Sequence, residues 1–109
     1  MVAMKRFKPY KHVPGVILLL AYDDYQILLD KELNKAYHIL RSKLSKAQQS
    51  ELKKSQMNWI TFRDAEYELI QNNWTSNNFG SSAGISRGDY RSTIVKDRII
   101  QLLHYLQNY

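Results

Sequence analysis

Apolar positions recur with the period of an α-helix along most of the chain. From Asp23, "DDYQILLDKELNKAYHILRSKL" sets Leu29, Leu33, Ala36, Tyr37, Leu40 and Leu44 at offsets 0, 4, 7, 8, 11 and 15, one helical stripe. Asp23 or Asp24 is available as its N-cap. "SKAQ", Ser45 to Gln48, fits a capping box, in which hydroxyl and amide each satisfy an otherwise orphaned backbone donor, so a second helix is predicted to start there. No glycine or proline occurs between Gly15 and Gly80, which predicts a very short turn and antiparallel helices one and two. On a helical wheel, Leu52, Trp59 and Ile70 centre the apolar face of 48–71, with Phe62 and Leu69 on one flank and Ile60 and Tyr67 on the other. That arc is wide enough for two neighbours and predicts the middle helix of a bundle. "NNWTSNNFGSSAGISRG", 72–88, reads as a long loop, and loops of such length in compact domains are commonly functional or mobile. A third helix is predicted from about Asp89, with Val95, Ile99, Leu102 and Leu106 on one face and Arg98 at its edge. The predicted fold is all-α: a small antiparallel three-helix bundle with a long loop between helices two and three.

At 109 residues the chain supports one domain, and 44% hydrophobic with 24% charged residues is an ordinary globular composition. The formal charge of +6 changes the picture only at the N-terminus. Lys5, Arg6, Lys8 and Lys11 precede any acid, and without them 12 basic residues face 10 acidic ones. The basic run is followed by "VPGVILLLA", 13–21, and then by Asp23 and Asp24, the pattern of a secretory signal peptide with cleavage after Ala21. Leu19 is large for its place before that cut, and Pro14 with Gly15 interrupts the apolar run. Two other readings stand beside it: a tail whose 16–20 segment packs on the domain, and a basic arm for nucleic acid. The run is too short for a permanent membrane span.

The absence of cysteine excludes disulfides, thiolate metal sites, a Cys nucleophile and a bacterial lipoprotein anchor. His12, His38 and His104 lack metal-ligand spacing, so no metal or other cofactor is implied. There is no phosphate-cradling glycine loop or nucleophile elbow. Asp64 and Glu66, two apart, point in different directions on a helix, so no catalytic residue is assigned. Helix two mixes charge signs, unlike a nucleic-acid-binding face.

Ionisable and amide side chains on the apolar face of "QMNWITFRDAEYELI", 56–70, need an explanation: Gln56, Arg63 and Glu66 fall within about 40° of its centre. Together with "LNKAYHIL" (33–40), "LSKAQ" (44–48) and a terminal helix carrying Arg98, this segment resembles the LprI-like lysozyme-inhibitor family over about residues 24–106. The W-x-x-F-R-D-A-E core is the specific part. Leu33, Asn34 and Tyr37 match the first family motif, Gln56, Trp59, Phe62, Arg63, Asp64 and Glu66 the second, and Arg98 the terminal arginine. The resemblance implies a small secreted helical domain of the bacterial envelope that binds a lysozyme-type enzyme. The two family cysteines correspond here to Tyr67 and Tyr90. In relatives a bridge there would tie helix two to helix three, and its loss forgoes about 2–5 kcal/mol. A Tyr67–Tyr90 ring contact would return roughly 0.5–1.5 kcal/mol, leaving the 72–88 loop mobile.

Arg63, Glu66 and Gln56 form either a polar pocket or, the preferred reading, a buried Arg63–Glu66 pair completed by Arg98 or Asn34. Partner contact is then expected from the loop, through Trp74, Phe79 and Arg87. A mature domain near +2 gains no steering toward a basic enzyme. The competing readings are a structural or protein-interaction module of the envelope without an enzyme target, and a cytoplasmic nucleic-acid binder using the basic arm.

Overall fold

The computed structural model describes residues 15–109, which are helical almost throughout and contain no strand. The basic run and the start of the signal-like segment, 1–14, lie outside the described residues. Three long helices, α1 (Gly15–Lys43), α2 (Lys46–Asn73) and α4 (Ala83–Leu106), are joined by a two-residue turn and by a short α3 (Ser76–Phe79) that leads into a 3₁₀ turn (Gly80–Ser82).

Local chemistry sets the turns. Ser45 Oγ accepts from Gln48 N–H at 3.2 Å, and Ser45 N–H donates to Gln48 Oε1 at 3.1 Å, so the capping box forms as its sequence predicts. Thr75 Oγ1 accepts from the N–H of Asn78 and starts α3. Gly80 ends it at φ 77°, where a side chain would be strained.

The core lies chiefly between α1 and α4. Leu29, Leu33, Ala36 and Leu40 pack with Val95, Ile99 and Leu102, and α2 adds Leu52. Leu19 faces Gly84 and Tyr22 faces Gly88, so α4 advances in the direction of α1. Arg87 meets Trp74 while Arg98 meets Gln56 and Ser55, so α2 runs the opposite way along α4. The molecule is an elongated slab of 50 × 29 × 16 Å.

Three expectations are corrected. The segment 72–88 is not a long loop: only Trp74 and Thr75 fall between helices, and the third long helix starts at Ala83 instead of Asp89. Two of its glycines are packing residues, because Gly84 and Gly88 let Leu19 and Tyr22 of α1 approach α4, while Ser76, Gly80, Ser81 and Ser82 stay exposed. Asp23 and Asp24 do not cap α1, which already runs through them from Gly15 because Leu19 and Tyr22 dock on α4. The helix between two neighbours is α4, not α2: α4 buries seven residues, α2 only Leu52 and Ile70.

A Cβ at Gly88 would stand 2.7 Å from Tyr22 Cγ, which the helix cannot relieve without moving apart. Gly88→Leu is therefore expected to lose about 1–3 kcal/mol by overpacking, more than the roughly 1 kcal/mol gained in helix propensity. Its urea midpoint should fall, and Tyr22→Ala in the same chain should restore part of it.

Candidate partner-binding site

Trp74 is the hinge of the corner where α2 ends. Its N–H donates to Ile70 O, and its carbonyl accepts from Arg87 Nη1, so a side chain of α4 clasps the end of α2. The Trp74 indole stacks on Phe79 at 5.9 Å and 12° and meets Tyr90 edge-on at 5.2 Å and 75°. Phe79 is 55% exposed and Tyr90 also faces solvent, so this aromatic corner is built from inside and open outside. Of the three residues expected to contact a partner, Trp74 and Phe79 come together, while Arg87 serves the scaffold with one nitrogen and keeps its other donors. Tyr90 is an addition that sequence reasoning paired differently. Tyr67 and Tyr90 make no ring contact; Tyr90 goes to Trp74.

The motif residues divide by depth. Leu33 is buried, Tyr37 and Trp59 pack against the core, and Asn34, Phe62 and Asp64 are exposed. The buried charge is Arg98, only 6% exposed, not Arg63. Its Nε donates to Gln56 Oε1 at 3.0 Å, Nη2 to Ser55 Oγ at 3.1 Å and Nη1 to Gln101 Oε1 at 2.7 Å. No carboxylate joins them, and burial pushes the guanidinium pKa down. Three neutral acceptors thus hold a desolvated cation, which joins α2 to α4 by geometry more than by charge.

The expected Arg63–Glu66 pair does not form. Arg63 instead donates through Nε and Nη2 to Asp64 Oδ1 at 3.0 and 2.9 Å, with the two side chains 25% and 61% exposed. Its guanidinium lies over the rings of Trp59 at 5.5 Å and Tyr67 at 5.7 Å. The aromatic neighbours at i−4 and i+4 explain why an arginine tolerates this face: it covers rings with its planar head and leaves its charge partly wet.

Tyr67, where the resemblance places a family cysteine, extends toward α1. Its hydroxyl and Gln26 Oε1 are both buried without a hydrogen-bond partner, and Ser92 Oγ is a third such atom. Gln26 lies near enough to influence the phenol, though not in the geometry of a full hydrogen bond. Burial, only partly opposed by Arg63, holds the Tyr67 pKa above its ordinary 10.0. Among the described residues no group of His, Asp and Glu is arranged for a metal ion.

Charge is distributed unevenly along the slab. The half holding the aromatic corner, residues 15–29 and 60–94, carries six acids (Asp23, Asp24, Asp64, Glu66, Glu68, Asp89) against three bases (Arg63, Arg87, Arg91). The other half, 30–59 and 95–109, carries nine bases against four acids.

Fold and surface together define a small all-helical domain whose distinctive features are an exposed aromatic corner and a polarised charge. The chain matches the family described as Lysozyme inhibitor LprI over residues 21–102, and it belongs to that family. No curated protein and no solved structure matches it.

Two outcomes follow. Arg98→Ala removes a buried side chain together with three part-buried hydrogen bonds and is expected to cost about 2–4 kcal/mol, against about 1 kcal/mol for Arg63→Ala, measured as denaturant midpoints. For Tyr67, a folded pKa above the unfolded value means its contribution is present below about pH 10 and is lost as pH rises through the folded value. Tyr25 is raised by burial as well, so phenolate absorbance should show a late-titrating fraction that Tyr67→Phe reduces without abolishing, while stability at neutral pH stays unchanged or rises by about 1 kcal/mol.

Proposed function

We propose that this chain is an envelope protein that binds and inhibits a lysozyme-type enzyme through its aromatic corner, without catalysis of its own. The observation that carries the reading is Phe79 stacked on Trp74 and left exposed, on the acid-biased half of a member of the LprI family. A lysozyme cleft binds sugar rings and holds two carboxylates. A pre-stacked aromatic pair suits the place of a sugar, and the donors of Arg87 not used on Trp74 suit a carboxylate.

Charge supports this more than net composition suggests. A domain near +2 overall gains nothing from a basic enzyme, but its six-to-three acidic half would turn the corner toward one. Export fits a signal segment cleaved after Ala21, close to where the family match begins. Cleavage there would remove the first seven residues of α1 and the Leu19 contact on Gly84, but keep Tyr22 on Gly88. No described helix is long and apolar enough to cross a membrane.

Phe79→Ala should leave the melting temperature nearly unchanged and weaken inhibition at least tenfold, the loss typical of an exposed aromatic anchor. Titration of lysozyme turnover on cell-wall substrate measures both chains. If the parent leaves lysozymes of every structural class at full turnover, the inhibitor reading fails and the interaction-module reading takes its place.

A further inference from the structure

The end of the slab opposite the aromatic corner has its own chemistry. Arg41 and Lys43 close α1, and Lys46, Lys53 and Lys54 open α2, with Glu51 the one acid between 41 and 54. Arg41, Lys46, Gln49, Ser50 and Lys53 line a surface groove of about 400 Å³ that contains no carboxylate. The ion pair found among the described residues is Arg63–Asp64, so none of these cations has a salt-bridge partner among them.

Local hydrogen bonding sharpens the positive character. The carbonyls that end α1 would present the negative end of its dipole here, but Gln49 Nε2 donates to Arg41 O at 3.0 Å and to Leu44 O at 3.2 Å. The N-terminus of α2 opens beside them and adds positive partial charge. Gln49 and Ser50 both spend their donors on backbone carbonyls. The groove therefore offers several separated charges on flexible stems rather than a fixed cage of donors around one anion.

We propose that this basic end binds the phosphate-bearing headgroups of an anionic lipid surface. Dispersed lysines without an inward donor cage match a plane of phosphates better than a single phosphate ion. Nucleic acid is the poorer match, because no aromatic side chain lines the groove to stack on a base. The acidic half is repelled by the same surface, so the bound molecule stands on its basic end. The 28 residues of α2, about 40 Å at 1.5 Å per residue, then hold the aromatic corner away from the lipid. The inference stands whether or not the corner inhibits a lysozyme.

The test uses the full chain and vesicles of phosphatidylcholine with and without phosphatidylglycerol. Binding is expected only to the anionic vesicles and should weaken with salt. The combined Arg41→Gln, Lys46→Gln, Lys53→Gln variant, with exposed sites and an expected unchanged melting temperature, should bind on the order of a hundredfold more weakly, about fivefold per cation. A second chain with Lys5, Arg6, Lys8 and Lys11 changed to Gln removes the basic run as the source, and the same groove substitutions should still weaken binding there. Parent-like affinity of the groove variant overturns the proposal, as does equal binding to neutral vesicles. Displacement by dilute inorganic phosphate, or tighter groove-dependent binding of an oligonucleotide than of vesicles, overturns it too.

Discussion

The close approach of α1 to α4 is the constraint on which the remaining structure depends. It is a tapered seam: Gly84, Gly88 and Ser92 at one end give way to Val95, Ile99 and Leu102 at the other. Where α4 is small, Leu19 and Tyr22 of α1 supply the bulk; where it is large, Leu33, Ala36 and Leu40 meet it. Packing to interior density requires that alternation, since a missing methylene leaves a void and an added one forces the helices apart. Because α4 sits against both other long helices, its placement also fixes where α2 lies.

Two devices then hold α2 to α4 at different heights. Near the middle, Arg98 gathers Gln56, Ser55 and Gln101; at the corner, Arg87 reaches the Trp74 carbonyl. Both use the arginine fork on neutral oxygens, so neither requires a buried carboxylate and its desolvation. Between them along both helices lie Tyr67 and Tyr90, the positions at which the resemblance sets two family cysteines and implies a bridge. Tyr67 and Tyr90 have not replaced that bridge with each other: one turns inward toward Gln26, the other outward onto Trp74. The corner is thereby fastened to α4 by the Arg87 hydrogen bond and the Trp74–Tyr90 ring contact, and it keeps an exposed aromatic surface.

The polarity of the slab follows from helix direction. Acids in the first part of α1 and the last part of α2 come together only because these ends lie side by side, and the lysines around the α1–α2 turn collect at the other end for the same reason. The 12 bases and 10 acids of residues 15–109 are thus divided between two ends of opposite sign, each able to bias approach to a different kind of surface.

The sequence by itself determined the all-helical class, the α1 stripe from Leu29 to Leu40, the capping box at Ser45 and the family, because these rest on period, cap chemistry and a specific W-x-x-F-R-D-A-E pattern. It also pointed to Trp74 and Phe79, the two aromatics set among polar neighbours. Only the tertiary structure decided that Gly84 and Gly88 belong to a helix, since a flexible loop and a tight helix contact call for the same small residues. Likewise a wheel places Arg63 and Glu66 on one face but cannot say how deep that face lies. The partner helix decides depth, and it buries Arg98 while leaving Arg63 on two rings at the edge of solvent.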